Sequence, residues 1–112
     1  MNVLFICSRN QWRSPTAEAV FRRTPDLQVR SAGTSPRARR TVGAADLGWA
    51  DIVVCMEDKH AQRLRARFGR LLDHKPVEVL GIPDDYRAMD PALIEELEAV
   101  VPAVLAQHRG GR

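Results

Sequence analysis

The first 23 residues contain a short apolar run, a polar loop and a helix-like segment, one after another. Residues 2–6 are mostly apolar and end at polar residues, which is typical of a buried strand. Ser14 is suited to cap a helix and Pro15 to occupy its first position, so a helix is predicted over residues 14–23. This order of strand, loop and helix restricts the chain to folds in which strands are connected by helices.

The loop between this strand and this helix combines a thiol with an arginine. Five residues separate Cys7 from Arg13, so a curled loop can bring both side chains to one small space. Backbone N–H groups and the helix N-terminus point into that space and form an anion cradle. Positive potential there favours the thiolate, and a guanidinium can donate two parallel hydrogen bonds where lysine cannot.

The loop is therefore predicted to hold a nucleophile inside a phosphate-binding site. We call this phosphate-binding loop the P-loop. Its predicted phosphate-binding residues are Ser8, Arg9, Asn10, Gln11, Trp12, Arg13 and Ser14.

Apolar runs and helical patterns alternate along the rest of the chain. The further strands are predicted at residues 27–30, 52–56 and 76–80. The further helices are predicted at 57–68 and from Asp90-Pro91 onward, with a kink at Pro102. The connecting segments are predicted as a loop at 31–36, a loop with one helical turn at 37–50, and a frayed polar tail at 109–112.

This alternation predicts an α/β fold: a single-domain three-layer sandwich, spanning residues 1–112, with a four-stranded parallel sheet and helices on both faces. Ligands of such sheets bind beyond the carboxyl ends of the strands, where the Cys7 loop lies.

Charge, apolar stretches and cysteine usage restrict the kinds of partner and the location that the sequence predicts. The net charge of +3 suits an anionic substrate but is too small to predict nucleic-acid binding. The sequence has no apolar stretch long enough to predict a membrane span. Cys7 and Cys55 have neither a disulfide framework nor a zinc-like spacing, so a cytoplasmic, reducing location is predicted. The oligomeric state stays open.

The loop after the fourth predicted strand carries two adjacent carboxylates and an aromatic residue. Phosphate transfer needs a group that protonates the leaving oxygen and later takes a proton from water, and one carboxyl can do both. Asp84 is the predicted acid and Asp85 the alternative, while turn formation alone would also explain both. Tyr86 is predicted to form a wall for an aromatic leaving group.

Several stretches of the chain, in order, resemble the low-molecular-weight protein tyrosine phosphatases. The residues at 3–7, 10, 13–15 and 17–19 resemble that family's opening signature. Residues 31–34 resemble its next landmark, 50–56 its third strand, and 84–86 its Asp-Pro-Tyr loop. A Cys-x5-Arg-Ser element is specific when it follows a strand and opens a helix.

The resemblance implies a hydrolase of phosphate monoesters, with a phosphotyrosine-like protein or a small phosphate ester as substrate. The reaction would use a phosphocysteine on Cys7 and neither metal nor cofactor, and the loop would also take inorganic phosphate or sulfate. Arg13 would clamp the phosphoryl oxygens, Ser14 would hydrogen-bond the thiolate, and Asp84 would be the acid. Asn10 would brace the loop, with Ser31 as partner.

Five departures from the family pattern carry expectations of their own. Arg9 replaces a usual glycine, which predicts strain or a crowded pocket. Trp12 stands where a protecting second cysteine is frequent, and Asp85 replaces the proline of the acid loop. The segment between Thr34 and Ala50 is short, so a helix and part of the substrate wall are expected to be missing. Gln11, at a position that shapes selectivity in the family, fits neither the phosphotyrosine nor the phosphoarginine pattern.

Two other functions compete with the phosphatase. A thiol-dependent arsenate reductase of the same fold would need a resolving thiol, and Cys55 is predicted to be buried. A catalytically weak phosphate- or phosphoprotein-binding module would keep the loop and lose the acid. Arginines 63, 65, 67 and 70 are interpreted as a solvated helix face, and the three histidines as solvated or locally bonded.

Overall fold

The computed structural model describes residues 1–109. Its four strands form one parallel sheet in the order β2-β1-β3-β4. The strands are β1 (Asn2–Cys7), β2 (Gln28–Gly33), β3 (Ile52–Cys55) and β4 (Val77–Val79). The helices are α1 (Arg13–Phe21), α2 (Ala44–Trp49), α3 (Asp58–Phe68) and α4 (Pro91–Arg109).

Each face of the sheet has its own apolar core, because alternate residues of a strand point to opposite faces. One core joins Phe5 and Val54 of the sheet to Phe21 of α1 and Leu97 of α4. The other core joins the intervening sheet residues to α2, α3 and the 3₁₀ turn Gly69–Leu72. Helices therefore cover both faces, and the predicted α/β three-layer arrangement is confirmed.

The second strand is longer than predicted. Ser31, Ala32 and Gly33, expected in a loop, continue β2 and pair in parallel with Phe5, Ile6 and Cys7 of β1. The polar and small residues of this stretch hide its strand character in the sequence. Pairing with a fully buried central strand satisfies their backbone groups and overrides that local preference.

The first helix begins one residue earlier than predicted, at Arg13, with Trp12 at the N-cap. Ser14 does not cap it, because the Ser14 hydroxyl contacts the Cys7 thiol and the Asn10 amide instead. At the last helix, by contrast, Asp90 caps as expected: Oδ1 accepts from the N–H of Ala92 at 2.9 Å.

The segment expected to have lost a helix contains α2, which is six residues long. Asp46 of α2 accepts the Gly43 N–H at 3.0 Å and pairs with Arg40, which ties the helix to the segment before it. The last helix contains Pro102 and runs to Arg109, the last described residue. The other three residues of the predicted frayed tail, 110–112, lie outside the described residues.

Within residues 1–109 no helix is both long and apolar enough to cross a membrane. The order β2-β1-β3-β4 puts β1 between β2 and β3, which both follow it in the chain. Loops leaving the carboxyl ends of β1 and β3 diverge there, which opens the crevice in which ligands of this fold class bind.

Candidate active site

A small cavity lies at the carboxyl end of β1. Its lining residues are Cys7, Ser8, Arg9, Gln11, Trp12, Arg13 and Asp84. The volume is about 30 Å³, far below the roughly 300–1,000 Å³ of pockets that enclose a whole organic ligand. The cavity therefore suits one small group at the end of a larger substrate.

Free backbone donors surround this cavity. Among residues 1–109, no backbone N–H from Ser8 to Arg13 donates to a protein acceptor. The carbonyls of the same loop are engaged: those of Cys7, Ser8 and Arg9 accept from the N–H groups of residues 34, 35 and 39 at 2.9–3.0 Å. Consecutive unpaired N–H groups form an anion-binding nest, since an anion would satisfy them together.

The close approach behind the loop depends on Gly33. A Cβ at this position would lie 2.4 Å from the Ser8 carbonyl oxygen and 3.0 Å from the Asn10 backbone nitrogen. The first distance is too short for a Cβ and the second is tight, so glycine lets β2 support the loop directly.

The loop turns at Asn10, whose φ of 54° is left-handed, a region that asparagine tolerates better than most residues. Its side-chain amide donates to Ser14 Oγ at 2.9 Å and to Ser31 Oγ at 3.0 Å. Asn10 thus braces the loop with the expected partner, and its amide does not line the cavity. Arg9 is absent from the residues with positive φ, so the expected backbone strain at this position does not arise.

The Cys7 sulfur lies 3.0 Å from the Ser14 hydroxyl oxygen, and both residues are buried. The Asn10 amide donates to Ser14 Oγ, and the Ser14 hydroxyl has two acceptors, the sulfur at 3.0 Å and the more distant Ala32 carbonyl at 3.4 Å. A hydroxyl donor stabilises a thiolate there.

Arg13 is 2% exposed and is held from two sides. Its Nη1 donates to Glu57 Oε1 at 2.6 Å and to the Ile82 carbonyl at 2.8 Å, and Nε lies 3.5 Å from Asp84 Oδ1. The hydrogen bond from Arg13 lowers the pKa of Glu57. Within residues 1–109, Nη2 has no protein partner, so its two N–H groups remain available to an anion.

The two carboxylates of the acid loop separate in space. Asp84 lines the cavity beside Arg13, whereas Asp85 is exposed and does not line it. Tyr86, predicted as the wall, is not among the lining residues: its hydroxyl donates to Glu96 at 3.1 Å and its ring packs against the α1/α4 core. The α4 acceptor and the apolar core hold this ring in place.

Trp12 is the aromatic residue at the cavity. Its side chain is 37% exposed, and the Arg87 guanidinium lies 5.8 Å from its ring centroid, within cation–π range. The rim is therefore aromatic and cationic at once.

Sequence reasoning missed Glu57 and His60. Glu57 is only the first residue of the helix predicted at 57–68, yet it follows β3, the neighbour of β1. Its position beyond the carboxyl end of that strand is the signal that could have found it. His60 is fully buried and its Nε2 lies 2.9 Å from Ser8 Oγ, so it is bonded across 52 residues as well as locally.

A larger apolar groove of about 470 Å³ lies between α1 and α4. Its lining includes Phe21, Leu27 and Leu105, with neither a thiol nor a carboxylate among the lining residues, so chemistry is assigned to the small cavity. Residues 1–109 contain no cluster of three or more His, Cys, Asp or Glu side chains placed to hold a metal.

Comparison with known proteins identifies relatives of this chain. The family model for low molecular weight phosphotyrosine protein phosphatases matches residues 2–46. The chain is 30% identical over 100 residues to the protein-arginine-phosphatase of Bacillus subtilis (strain 168), covering 65% of this chain and 67% of that protein.

Two solved structures share the fold. The YwlE arginine phosphatase, as a cysteine-to-serine mutant with a phosphorylated active-site serine, has a TM-score of 0.74 at 24% identity, covering 100% of this chain and 98% of that one. A product-state mimic of a protein tyrosine phosphatase from Entamoeba histolytica has a TM-score of 0.77 at 21% identity, covering 100% and 97%.

A parallel sheet with a thiol, an arginine and a ring of free amides at the end of its first strand defines a cysteine-dependent phosphatase. The chain belongs to the low molecular weight phosphotyrosine protein phosphatase family.

Proposed function

We propose that this protein removes phosphate from phosphotyrosine-like side chains of proteins through a phosphocysteine on Cys7, and that residues 1–112 form one phosphatase domain. The observation that carries the proposal is the junction of Cys7, Arg13 and Asp84 in one cavity ringed by unpaired backbone N–H groups. The fit to a tetrahedral dianion follows, because each oxygen can meet several donors.

In the first step the Cys7 thiolate attacks phosphorus and the bond from phosphorus to the leaving oxygen breaks. The charge on the equatorial oxygens is stabilised by the loop N–H groups and by Nη2 of Arg13. Asp84 protonates the leaving oxygen. In the second step Asp84 takes a proton from water, the water oxygen attacks phosphorus, the S–P bond breaks, and phosphate leaves with the thiolate restored.

The loop residues divide this work. Ser8, Arg9, Gln11 and Trp12 line the cavity, whereas Asn10 and Ser14 hold the loop and the sulfur in place. Trp12 would offer its face to the group that carries the phosphate, since an aromatic ring stacks on another ring.

Phosphoarginine is the second candidate substrate, favoured by the 30% identity to a protein-arginine-phosphatase. Trp12 would then contact a guanidinium, which also binds well over an indole ring. The rim residues are compatible with both, so the substrate panel decides between them.

The test is a panel of an aryl phosphate, a phosphotyrosine peptide and phosphoarginine, with wild type, Cys7→Ser and Arg13→Lys. We expect hydrolysis of the aryl phosphate and the peptide by wild type, and loss of turnover in both variants. Cys55→Ser is the matched control and should retain activity. Preferential release of phosphate from phosphoarginine would overturn the phosphotyrosine assignment, and no turnover of any substrate would overturn the enzyme.

An internal arsenate-reductase relay has little support. Cys55 is fully buried, and burial raises its pKa to about 12, so it is a poor source of thiolate. Cys7 belongs to the core on one face of the sheet and Cys55 to the core on the other. A binding-only module is disfavoured by Asp84, because the acid still lines the cavity.

The mechanism requires a Cys7 that is not bound in a disulfide. We therefore propose that the protein works in a reducing compartment such as the cytoplasm. Its partners would be phosphorylated proteins or small phosphate esters, with inorganic phosphate or sulfate as simpler ligands of the P-loop. Neither nucleic acid nor a membrane is proposed as a partner.

A further inference from the structure

His60 joins the P-loop to the start of α3. Its ring is fully buried, Nδ1 lies 3.0 Å from the Glu57 backbone nitrogen, and Nε2 lies 2.9 Å from Ser8 Oγ. No step of the proposed reaction uses this residue, although it contacts a lining residue of the cavity.

The two contacts define which ring nitrogen carries the proton. A backbone N–H can only donate, so Nδ1 of His60 must accept from Glu57. A neutral imidazole then carries its hydrogen on Nε2, which donates to Ser8 Oγ.

His60 stays neutral at the pH of the reaction. Burial, with the positive charge of Arg13, lowers its pKa to about 4. Both ring nitrogens therefore keep the same roles at neutral pH.

The Ser8 hydroxyl has one hydrogen that it can still donate. Its oxygen accepts the Nε2–H of His60, so its own hydrogen must point away from the imidazole. Among residues 1–109 no protein acceptor receives this hydrogen, and Ser8 lines the cavity.

We infer that the Ser8 hydroxyl donates a hydrogen bond to a phosphoryl oxygen and that His60 is the positioning residue that aims it. The inference rests on the proposed function, because it needs a phosphoryl group in the cavity. It adds one side-chain donor to the backbone amides and Arg13.

Helix capping alone does not account for His60. The Nδ1 contact with Glu57 completes a capping box at the start of α3, and an asparagine could supply that acceptor. The Nε2 contact reaches the P-loop and contributes nothing to the cap. The two contacts can therefore be separated by substitution.

The test compares Ser8→Ala, His60→Asn and His60→Gln. His60→Asn retains an acceptor near the Nδ1 position and loses the donor to Ser8. His60→Gln retains a donor near the Nε2 position and loses the acceptor. The dissociation constant of inorganic phosphate, measured by calorimetry at pH 7, and kcat/KM for an aryl phosphate are the readouts, with the melting temperature alongside.

We expect Ser8→Ala to weaken phosphate binding about tenfold, as loss of a hydrogen bond to a charged group does. His60→Asn should weaken it severalfold while keeping most of its thermal stability. His60→Gln should bind phosphate close to wild type and melt lower. In the Ser8→Ala background, His60→Asn should add no further loss, because its effect passes through Ser8.

The inference would be overturned if Ser8→Ala bound phosphate as tightly as wild type does. It would also be overturned if His60→Asn weakened phosphate binding as much in the Ser8→Ala background as it does in wild type. Phosphate binding that follows melting temperature in both His60 variants would also overturn it, since that is the signature of a structural role. Wild type and Cys7→Ser, the variant expected to lose turnover, distinguish a failure of this inference from a failure of the proposed function. If wild type neither binds phosphate nor turns over substrate, the proposed function itself fails.

Discussion

Arg13 Nη1 donates to Glu57 Oε1 at 2.6 Å, which joins the last residue of the Cys-x5-Arg element to the residue that caps α3. The pairing fixes Nη1 of the guanidinium, while Arg13 also lines the cavity. The carboxylate compensates a cation that is almost fully buried, and an unpaired charge in that position would be costly.

Replacing Glu57 by glutamine should lower both stability and activity. We expect a loss of about 1–3 kcal/mol at pH 7, typical of a hydrogen bond between charged groups, and a lower kcat/KM because Arg13 is less well held. Urea unfolding and aryl phosphate turnover measure the two effects. Asp58→Asn is the matched control, since Asp58 lies next in the chain and makes no ion pair with Arg13.

The Glu57 contribution should depend on pH in a defined direction. Its pKa is lowered from 4.5 by the Arg13 hydrogen bond, so the stabilisation is complete above about pH 4.5 and is lost as the pH falls below that value. The stability difference between wild type and Glu57→Gln should therefore shrink in acid. A difference that grows in acid would contradict the ion pair.

His60 should give a second pH dependence, in a higher range. Its pKa is about 4 in the folded protein against 6.5 ordinarily, so between these values the unfolded chain binds a proton that the folded chain excludes. Stability from this source is complete above pH 6.5 and falls towards pH 4, with a loss of about 2 kcal/mol at pH 5.

Urea unfolding at pH 7 and pH 5 measures the His60 effect. His60→Asn should lose this part of the pH dependence, and His74→Asn, at an exposed histidine, should keep it. An unchanged pH dependence in His60→Asn would show that other groups account for it.

Gly33→Ala should damage the P-loop from behind. Its Cβ would meet the Ser8 carbonyl oxygen at 2.4 Å, so β2 or the loop must shift, at a cost of about 1–3 kcal/mol. Phosphate affinity and turnover should fall with it. Gly48→Ala is the control, because nothing lies within 4 Å of its added Cβ and alanine favours a helix.

Asp84→Asn should slow the reaction most for substrates with poor leaving groups. A general acid contributes roughly 100-fold or more, and a good leaving group needs less of that help. The comparison is kcat for a nitrophenyl phosphate against kcat for a phosphotyrosine peptide. Asp85→Asn should leave both near wild type, since Asp85 does not line the cavity; an equal effect of the two variants would contradict the assignment.

Local sequence predicted the parts whose contacts are close in the chain. The apolar run before Cys7, the Cys-x5-Arg spacing and the Asp90 cap are all short-range patterns, and the structure contains each of them. They depend on side chains and backbone groups within a few residues, so period and spacing are enough to predict them.

Tertiary structure decided which residues surround the reacting thiol. Arg13 meets Glu57 across 44 residues and Ser8 meets His60 across 52, and only the parallel pairing of β1 with β3 brings α3 to the P-loop. Pairing of β1 with β2 extended β2 through Ser31–Gly33, and Tyr86 donates to Glu96 of α4 and does not line the cavity. Contacts of this range depend on how sheet and helices stack, and no spacing along the chain encodes that packing.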